Sequence, residues 1–537
     1  MISRRKFLFN SLGLAGATCM GSVFTSCTPS RNVTGMLTGP NQALGHRLHQ
    51  EIRNAKVEQT LHHDVVIVGG GTSGLAAARY LSKSGTDFML IELEQRTGGN
   101  AQSGSNEVSA YPLGAHYLPL PSLNDAELLH FLEESGAITG YQNGKPVYND
   151  YYLCFDPKER LFIHGHWQDG LVPHSGVPSA DLDQLHRFQS LMHEFKQAKG
   201  ADGKDAFCIP LTACSVDPAF TALDKISFSE YLQQQTFTSE YLWWYVNYCC
   251  ADDYGATADQ VSAWAGIHYF ASRKGIAHNA ESDSVLTWPE GNGWLVNKLR
   301  EQVKETIVCN SLVFRIESRG NKVAVLFIDG NAGVCTEVIT DQVILATPQF
   351  INHRILSASF EHPLNAASFN YAPWMVANLT LTSNLETKRG EPLSWDNVIY
   401  GSKSLGYVYA NHQTLGQRQQ QQVITYYAPL LGANAKDSRT FANAQTYEQW
   451  YAWVTKDLKT AHRFIEDGME RMDVWVWGHG MICPIPDFIF GKARTNASAS
   501  LRDKIHFAHS DCSGISIFEE AFHRGTQAAK KVLGYES

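Results

Sequence analysis

Asp64-Val-Val-Ile-Val-Gly-Gly-Gly-Thr-Ser-Gly74 is the stretch on which the fold turns. Val65 to Val68 are four consecutive branched apolar residues, the pattern of a strand buried on both faces of a parallel sheet. Gly69, Gly71 and Gly74 then fall in G-x-G-x-x-G spacing, and Leu75 to Leu81 continue as an Ala-rich helix. The three glycines serve different needs, namely a tight turn, close backbone approach to a pyrophosphate, and close helix–strand packing. The free N–H groups of Thr72 and Ser73 open the helix, where an anion is stabilised. A second strand, Phe88-Met-Leu-Ile, ends at Glu92, 18 residues beyond Gly74 and close to the ~20 at which a ribose-binding carboxylate is placed. A glycine-rich surface turn would explain the glycines alone. It does not explain strand, helix, strand and acid together, so a dinucleotide site is predicted.

Beyond Glu92 the chain reads Leu93-Glu-Gln-Arg-Thr-Gly98-Gly99-Asn100. This resembles the E-x-x-x-x-x-G-G-R stretch of the flavin-containing amine oxidase, phytoene desaturase and protoporphyrinogen oxidase superfamily. The resemblance implies FAD rather than NAD, with the Gly98-Gly99 pair passing over the pyrophosphate. Glu94 and Asn100 depart from it, standing where the amine oxidase branch commonly has arginines. Tyr111-Pro-Leu-Gly114-Ala115-His116-Tyr117 is similar to the family segment beside the flavin ring. There Gly114 and Ala115 permit close approach, and His116 is either a flavin-edge residue or a packed structural one.

Further motifs carry the same likeness. Trp288-Pro-Glu-Gly-Asn-Gly293 and the helix after it resemble a turn leading back to the FAD domain. The resemblance gives Val313 an adenine contact through its backbone. It also matches Asp341-Gln-Val-Ile-Leu-Ala346-Thr347-Pro348 to a strand ending at the ligand, where open parallel sheets bind. Near the end, Phe507-Ala-His-Ser-Asp511 and Phe518-Glu519-Glu-Ala resemble the closing motif of the family. By that likeness Asp511 hydrogen-bonds the ribityl or phosphate part of FAD. The helix opening at Phe518 and Glu519 directs its dipole at the flavin. The two halves lie more than 400 residues apart in the 537-residue chain.

The implied fold class is α/β. A Rossmann-like FAD-binding domain of the glutathione-reductase type, with a parallel sheet, is joined to an α+β substrate domain with a helical insertion. The expected division is 61–120, 286–350 and 481–537 for the FAD domain, 121–285 for a mainly helical substrate part, and 351–480 for a substrate-domain sheet. Capping boxes are expected at Ser227–Glu230 and Thr257–Gln260. The aromatic run Tyr241, Trp243, Trp244, Tyr245 and Tyr248 fits either a cavity wall or core helix packing. His412, Tyr426, Trp475 and Trp477 are candidates to face a cavity.

Residues 1–27 read as targeting sequence. Ser3-Arg4-Arg5-Lys6-Phe7-Leu8 resembles the twin-arginine export signal, and Val23-Phe24-Thr25-Ser26-Cys27 a lipoprotein cleavage box. These imply the twin-arginine translocase as partner, a lipid anchor at Cys27, and a periplasmic or membrane-anchored location. Residues 28–60 read as a tether with a short helix from about Asn41. A net charge of −9 argues against nucleic-acid partners. None of the eleven cysteines forms C-x-x-C and no metal-ligand spacing occurs, so no metal is expected.

A single dinucleotide fingerprint argues against a reductase fed by a nicotinamide cofactor. Electrons are expected to come from a small organic substrate and leave to oxygen, a quinone or a redox protein. The implied chemistry is hydride removal to flavin N5, the flavin carrying it while the protein orients and dries the site. Amine oxidases of the family often hold a lysine near N5, and Asn378 occupies the matching strand here. Asn378, His116 and Trp477 are therefore the candidate catalytic residues. Two alternatives stand beside amine oxidation: a desaturase or isomerase of an apolar substrate, and a flavin-bearing electron-transfer or binding subunit.

Overall fold

The computed structural model describes residues 33–49, 52, 55–303, 306–362, 366–382, 385, 390–414 and 421–535. The predicted export signal, with Arg4, Arg5 and Cys27, lies outside the described residues. Among those described, no helix is long and apolar enough to cross a membrane.

The glycine-rich turn sits in a seven-stranded sheet. Strand Gln59–Val68 lies at its centre, parallel to Phe88–Ile91 on one side and Cys335–Leu345 on the other. Val65 to Val68 are buried, as a strand covered on both faces requires. Ile307–Val308 extends the sheet in parallel beyond Phe88–Ile91. Cys335–Leu345 changes neighbour along its length: its first half pairs antiparallel with Lys322–Asp329, and Val343–Leu345 pair parallel with Ile505–Phe507.

The sheet is therefore mixed and not wholly parallel. Only Gly320 and Asn321 separate Arg319 from its partner Lys322, so Ser311–Arg319 and Lys322–Asp329 form a tight hairpin. A two-residue turn joins antiparallel strands only, whereas parallel neighbours need a long crossover.

One such crossover is the helix Thr72–Ser84, whose Leu75, Ala76, Ala77, Ala78 and Leu81 are buried on the sheet. The last helix, Phe518–Val532, packs across it. The contact is close because both faces are small: a Cβ on Gly525 would run into the Ser73 backbone, and one on Gly74 into the Gly69 carbonyl.

An eight-stranded sheet forms the other half. Its order is Leu37–Thr38, Met469–Ile482, Tyr371–Leu381, Gln422–Pro429, Tyr407–Tyr409, Asp396–Ile399, Glu159–Ile163 and His166–Asp169. The central pairings are antiparallel, with parallel pairings where Leu37–Thr38 and Glu159–Ile163 join. The predicted tether thus contributes an edge strand, Leu37 lying opposite Val474.

The 121–285 block is less helical than expected. Its helices are Ala126–Glu134, Ser179–Gln197, Phe228–Gln234, Glu240–Tyr254 and Ala263–Ala271, with the short Pro218–Thr221. It also holds two hairpins, turning at Asn143-Gly144 and His164-Gly165. All four turn residues have positive φ, which matches the right-handed twist of the flanking strands. Thr257–Gln260 is a turn and caps no helix. Ser262 caps the next one, its hydroxyl accepting from the Ala265 N–H at 3.2 Å. Ser227 does cap Phe228–Gln234.

Candidate active site

Between the two sheets runs an elongated cavity of about 400 Å³. One end is lined by Glu92, Leu93, Ser311 and Val313, the middle by Gly69, Gly71, Thr72, Ser73, Gly98, Gly99, Ala346 and Thr347, and the other end by Ala115, Trp477 and Phe518, with Asp511 on the wall beside Gln349. Segments spread over the whole chain meet here because strand ends and helix starts of one sheet converge at the same edge. Gly69 turns with φ +101, out of the range of most side-chain-bearing residues. Two helices begin on this wall. Thr72–Ser84 and Phe518–Val532 both lack a side-chain cap, which leaves their first N–H groups for a ligand.

Glu92 is buried and held at two points. Its Oε2 accepts from the Gly70 N–H at 2.5 Å and its Oε1 from the Glu94 N–H at 2.8 Å. Burial pushes its carboxyl up to about 7 against those bonds. Asp511 is equally enclosed, its Oδ2 accepting from the Gln349 N–H at 2.8 Å and the Tyr371 hydroxyl at 2.5 Å. Asn100 donates to the Gly480 carbonyl and lines the cavity through the junction of both sheets. A wall of bare glycine backbone, two uncapped helix starts and a buried carboxylate at one end suit a dinucleotide with a flat ring at the other end. The residues present therefore fit FAD.

A second cavity of about 130 Å³ abuts the first, sharing Asn100, Ala115, Trp477, Gly480, Ile517 and Phe518 with it. It holds Gly114, His116, Tyr117, Trp374, Val376 and Tyr427, and the ionisable groups Asp252, Asp253, Arg273 and Glu519. His116 stacks on Tyr427 with centroids 4.4 Å apart, and burial pushes its imidazole down to about 4. The Trp477 Nε1–H donates to the Leu113 carbonyl at 2.6 Å, which fixes the indole between the two cavities.

Three carboxylates face one cation in this space. Arg273 is held by Asp253 through Nη2, at 2.8 and 2.9 Å from its two oxygens. Among the described residues, Asp252 takes only hydroxyl donors, Tyr117 at 3.3 Å and Tyr269 at 3.5 Å. Burial and the neighbouring Asp253 push Asp252 up to about 7, and burial does the same for Glu519.

Several sequence-predicted residues sit elsewhere than expected. Asn378 lines neither cavity: it bonds the Pro112 carbonyl at 3.3 Å and the Thr425 hydroxyl at 2.7 Å inside the sheet. Trp374 and Val376 of the same strand line the second cavity instead. Glu519 and Gly114 belong to the second cavity, and Gly74 lines neither because it is used for packing. Tyr426 is buried against Asp457 while its neighbour Tyr427 faces the second cavity. A one-residue difference decides this, since successive strand residues point to opposite faces. His412 stacks on Phe155 at 4.3 Å. Trp475 packs against Trp477 at 5.3 Å. The aromatic run of Glu240–Tyr254 packs on itself and on Tyr400, for example Trp244 to Tyr400 at 4.7 Å, and lines neither of these two cavities before Asp252. The Pro40–Leu48 segment, Tyr371, Arg439 and His479 also line the first cavity.

The arrangement is shared with solved proteins. At 16% identity, 88% of this chain matches 99% of a putrescine oxidase variant with TM-score 0.65. It matches 99% of cyclohexylamine oxidase from Brevibacterium oxydans IH-35A with TM-score 0.62, again at 16% identity. The fold is thus the mixed α/β fold of FAD-dependent amine oxidase structures. The family model for flavin containing amine oxidoreductases matches residues 72–533, and the chain belongs to that family. It is an FAD-dependent oxidoreductase, and FAD is its cofactor. The putrescine oxidase of Kocuria rosea is 33% identical over 181 residues. That stretch spans a third of this chain and a third of that enzyme's length.

Proposed function

We propose that the protein oxidises a small organic amine at its C–N bond, the amine lying in the second cavity. The observation that carries this reading is the charge of that cavity: Asp252, Asp253 and Glu519 against Arg273 alone, with aromatic walls. Arg273 is already matched by Asp253, so Asp252 and Glu519 remain to draw in an ammonium group. FAD supplies the hydride acceptor. Asp252 takes the ammonium proton, since an amine must be neutral to lose hydride from its α-carbon. A carboxyl near 7 is suited to accepting it. His116, neutral above about pH 4, adds no repulsive charge, and the His116–Tyr427 and Trp477 rings exclude water and hold the carbon chain. An apolar substrate for a desaturase or isomerase would give these acids no charged partner.

Oxygen is the acceptor proposed first, with quinones or a redox protein as the alternatives. The test is to reduce the purified flavoprotein with a panel of mono- and diamines, then admit oxygen and record peroxide. Bleaching by amines and rapid return of the oxidised spectrum are expected. A flavin that no amine reduces would overturn the amine reading.

The N-terminal motif supports export through the twin-arginine translocase to the periplasm, with a lipid anchor at Cys27. Arg4→Lys with Arg5→Lys should leave the protein in the cytoplasm. Normal export of that double variant would exclude the route.

A further inference from the structure

The cofactor cavity is lined by three acids, Glu92, Glu94 and Asp511, yet FAD is itself an anion at its pyrophosphate. Glycine backbone and two helix N-termini supply only partial positive charge. Among the described residues that line the cavity, a single lysine or arginine occurs: Arg439. It stands on the helix Ala435–Ala444, which follows strand Gln422–Pro429 of the eight-stranded sheet. It comes from the half of the molecule opposite the glycine-rich turn.

Arg439 is half-buried and only partly bonded. Its Nη1 donates to the Tyr371 carbonyl at 2.9 Å. No carboxylate among the described residues pairs with it, and burial alone holds the guanidinium below its usual range. The same wall carries His479, stacked on Phe350 at 4.4 Å. Burial first, and then the charge of Arg439, pushes that imidazole down to about 4. A half-buried guanidinium with no acid beside it gains most from an anion that joins it. Its planar fork matches phosphate oxygens in a bidentate pair.

We propose that Arg439 is a cofactor-binding residue that pairs with the pyrophosphate of FAD. A helix of the substrate-side sheet then closes the cofactor cavity, and the charge missing from the glycine-rich side is supplied across the molecule. The inference rests on FAD as the cofactor and goes beyond the choice of amine.

Flavin retention tests it. FAD and riboflavin affinities would be measured by flavin fluorescence over a range of KCl, for the wild type, Arg439→Gln, Arg439→Lys and the surface control Lys436→Gln. Arg439→Gln should weaken FAD at least about tenfold, as loss of a charge-assisted pair does. It should flatten the salt dependence and leave riboflavin, which has no phosphate, unchanged. Arg439→Lys should recover most of the FAD affinity, and Lys436→Gln should match the wild type. Wild-type FAD affinity and salt dependence in Arg439→Gln would overturn the proposal, as would equal weakening of riboflavin. Where Arg439→Gln does not fold, the wild type decides: FAD binding no more salt-sensitive than riboflavin binding also overturns it. These readouts follow flavin retention alone, so they stand apart from whether any amine is oxidised.

Discussion

At Glu92 one buried carboxylate accepts from the Gly70 and Glu94 N–H groups and lines one end of the cofactor cavity, where the predicted ribose contact would fall. Glu92→Ala removes both acceptors, and the expected loss is roughly 1.5–3 kcal/mol of FAD binding, a ten- to hundredfold weaker affinity. Gel filtration followed by flavin quantification checks this, and full occupancy in the variant would refute the assignment. Asp252 makes a pH prediction. Its carboxyl is raised to about 7, so it is neutral below that pH and anionic above. Attraction of an ammonium ion is therefore lost as the pH falls through 7, and kcat/KM for a cationic amine should drop about tenfold per pH unit below it. Asp252→Asn should lower kcat/KM and leave only a shallower limb from Glu519, also raised to about 7, whereas an unchanged limb in the variant would assign it to another group.

At the scale of elements, the site depends on how closely two helices cross. Phe518–Val532 reaches Thr72–Ser84 only because Gly525 has no side chain beside the Ser73 backbone. Both helices start at the cofactor cavity. Gly525→Ala should therefore destabilise the fold by about 1–3 kcal/mol and loosen FAD, visible as a lower unfolding midpoint and faster flavin release. Unchanged values for both would mean that the helices shift freely. The glycine-rich turn, its strands and the last helix were legible because each follows local rules of burial and spacing. The hairpins at Asn143-Gly144 and His164-Gly165 carried a local signal too, the Asn-Gly and X-Gly turn, but lay in a block read as helical. The strand Tyr371–Leu381 is buried along its whole length, so no alternation marks which residues face the cavity. That is why Asn378 stood out in sequence while Trp374 and Val376 line the second cavity.

At the scale of the molecule, the described residues form one compact unit whose cofactor cavity has walls from both sheets. Flavin that binds only the folded state stabilises both together, by about 2.7 kcal/mol at a hundredfold excess over Kd. The apoprotein should thus unfold at a lower temperature, and FAD should restore a single cooperative transition in a calorimetric scan. Separate, FAD-independent melting of one half would contradict a shared cavity.

The sequence by itself determined the dinucleotide-binding turn, the acid at the end of the second strand, and the likeness of both ends of the chain to one flavoprotein family. Those features depend on residues near one another along the chain, where periodicity and glycine spacing are visible. Only the tertiary structure decided which acids share a space. Asp252 and Asp253 end a helix of aromatic residues, Arg273 lies beyond the next helix, and Glu519 lies near the C-terminus. Only packing of the helical block on one face of the eight-stranded sheet, in a core that also takes in Ile515 and Ile517 just before the last helix, brings them together. The same holds for Arg439, which lies some 370 residues from the glycines that line the same cavity. Charge compensation across a cavity is a relation between surfaces, and no local pattern along the chain records it.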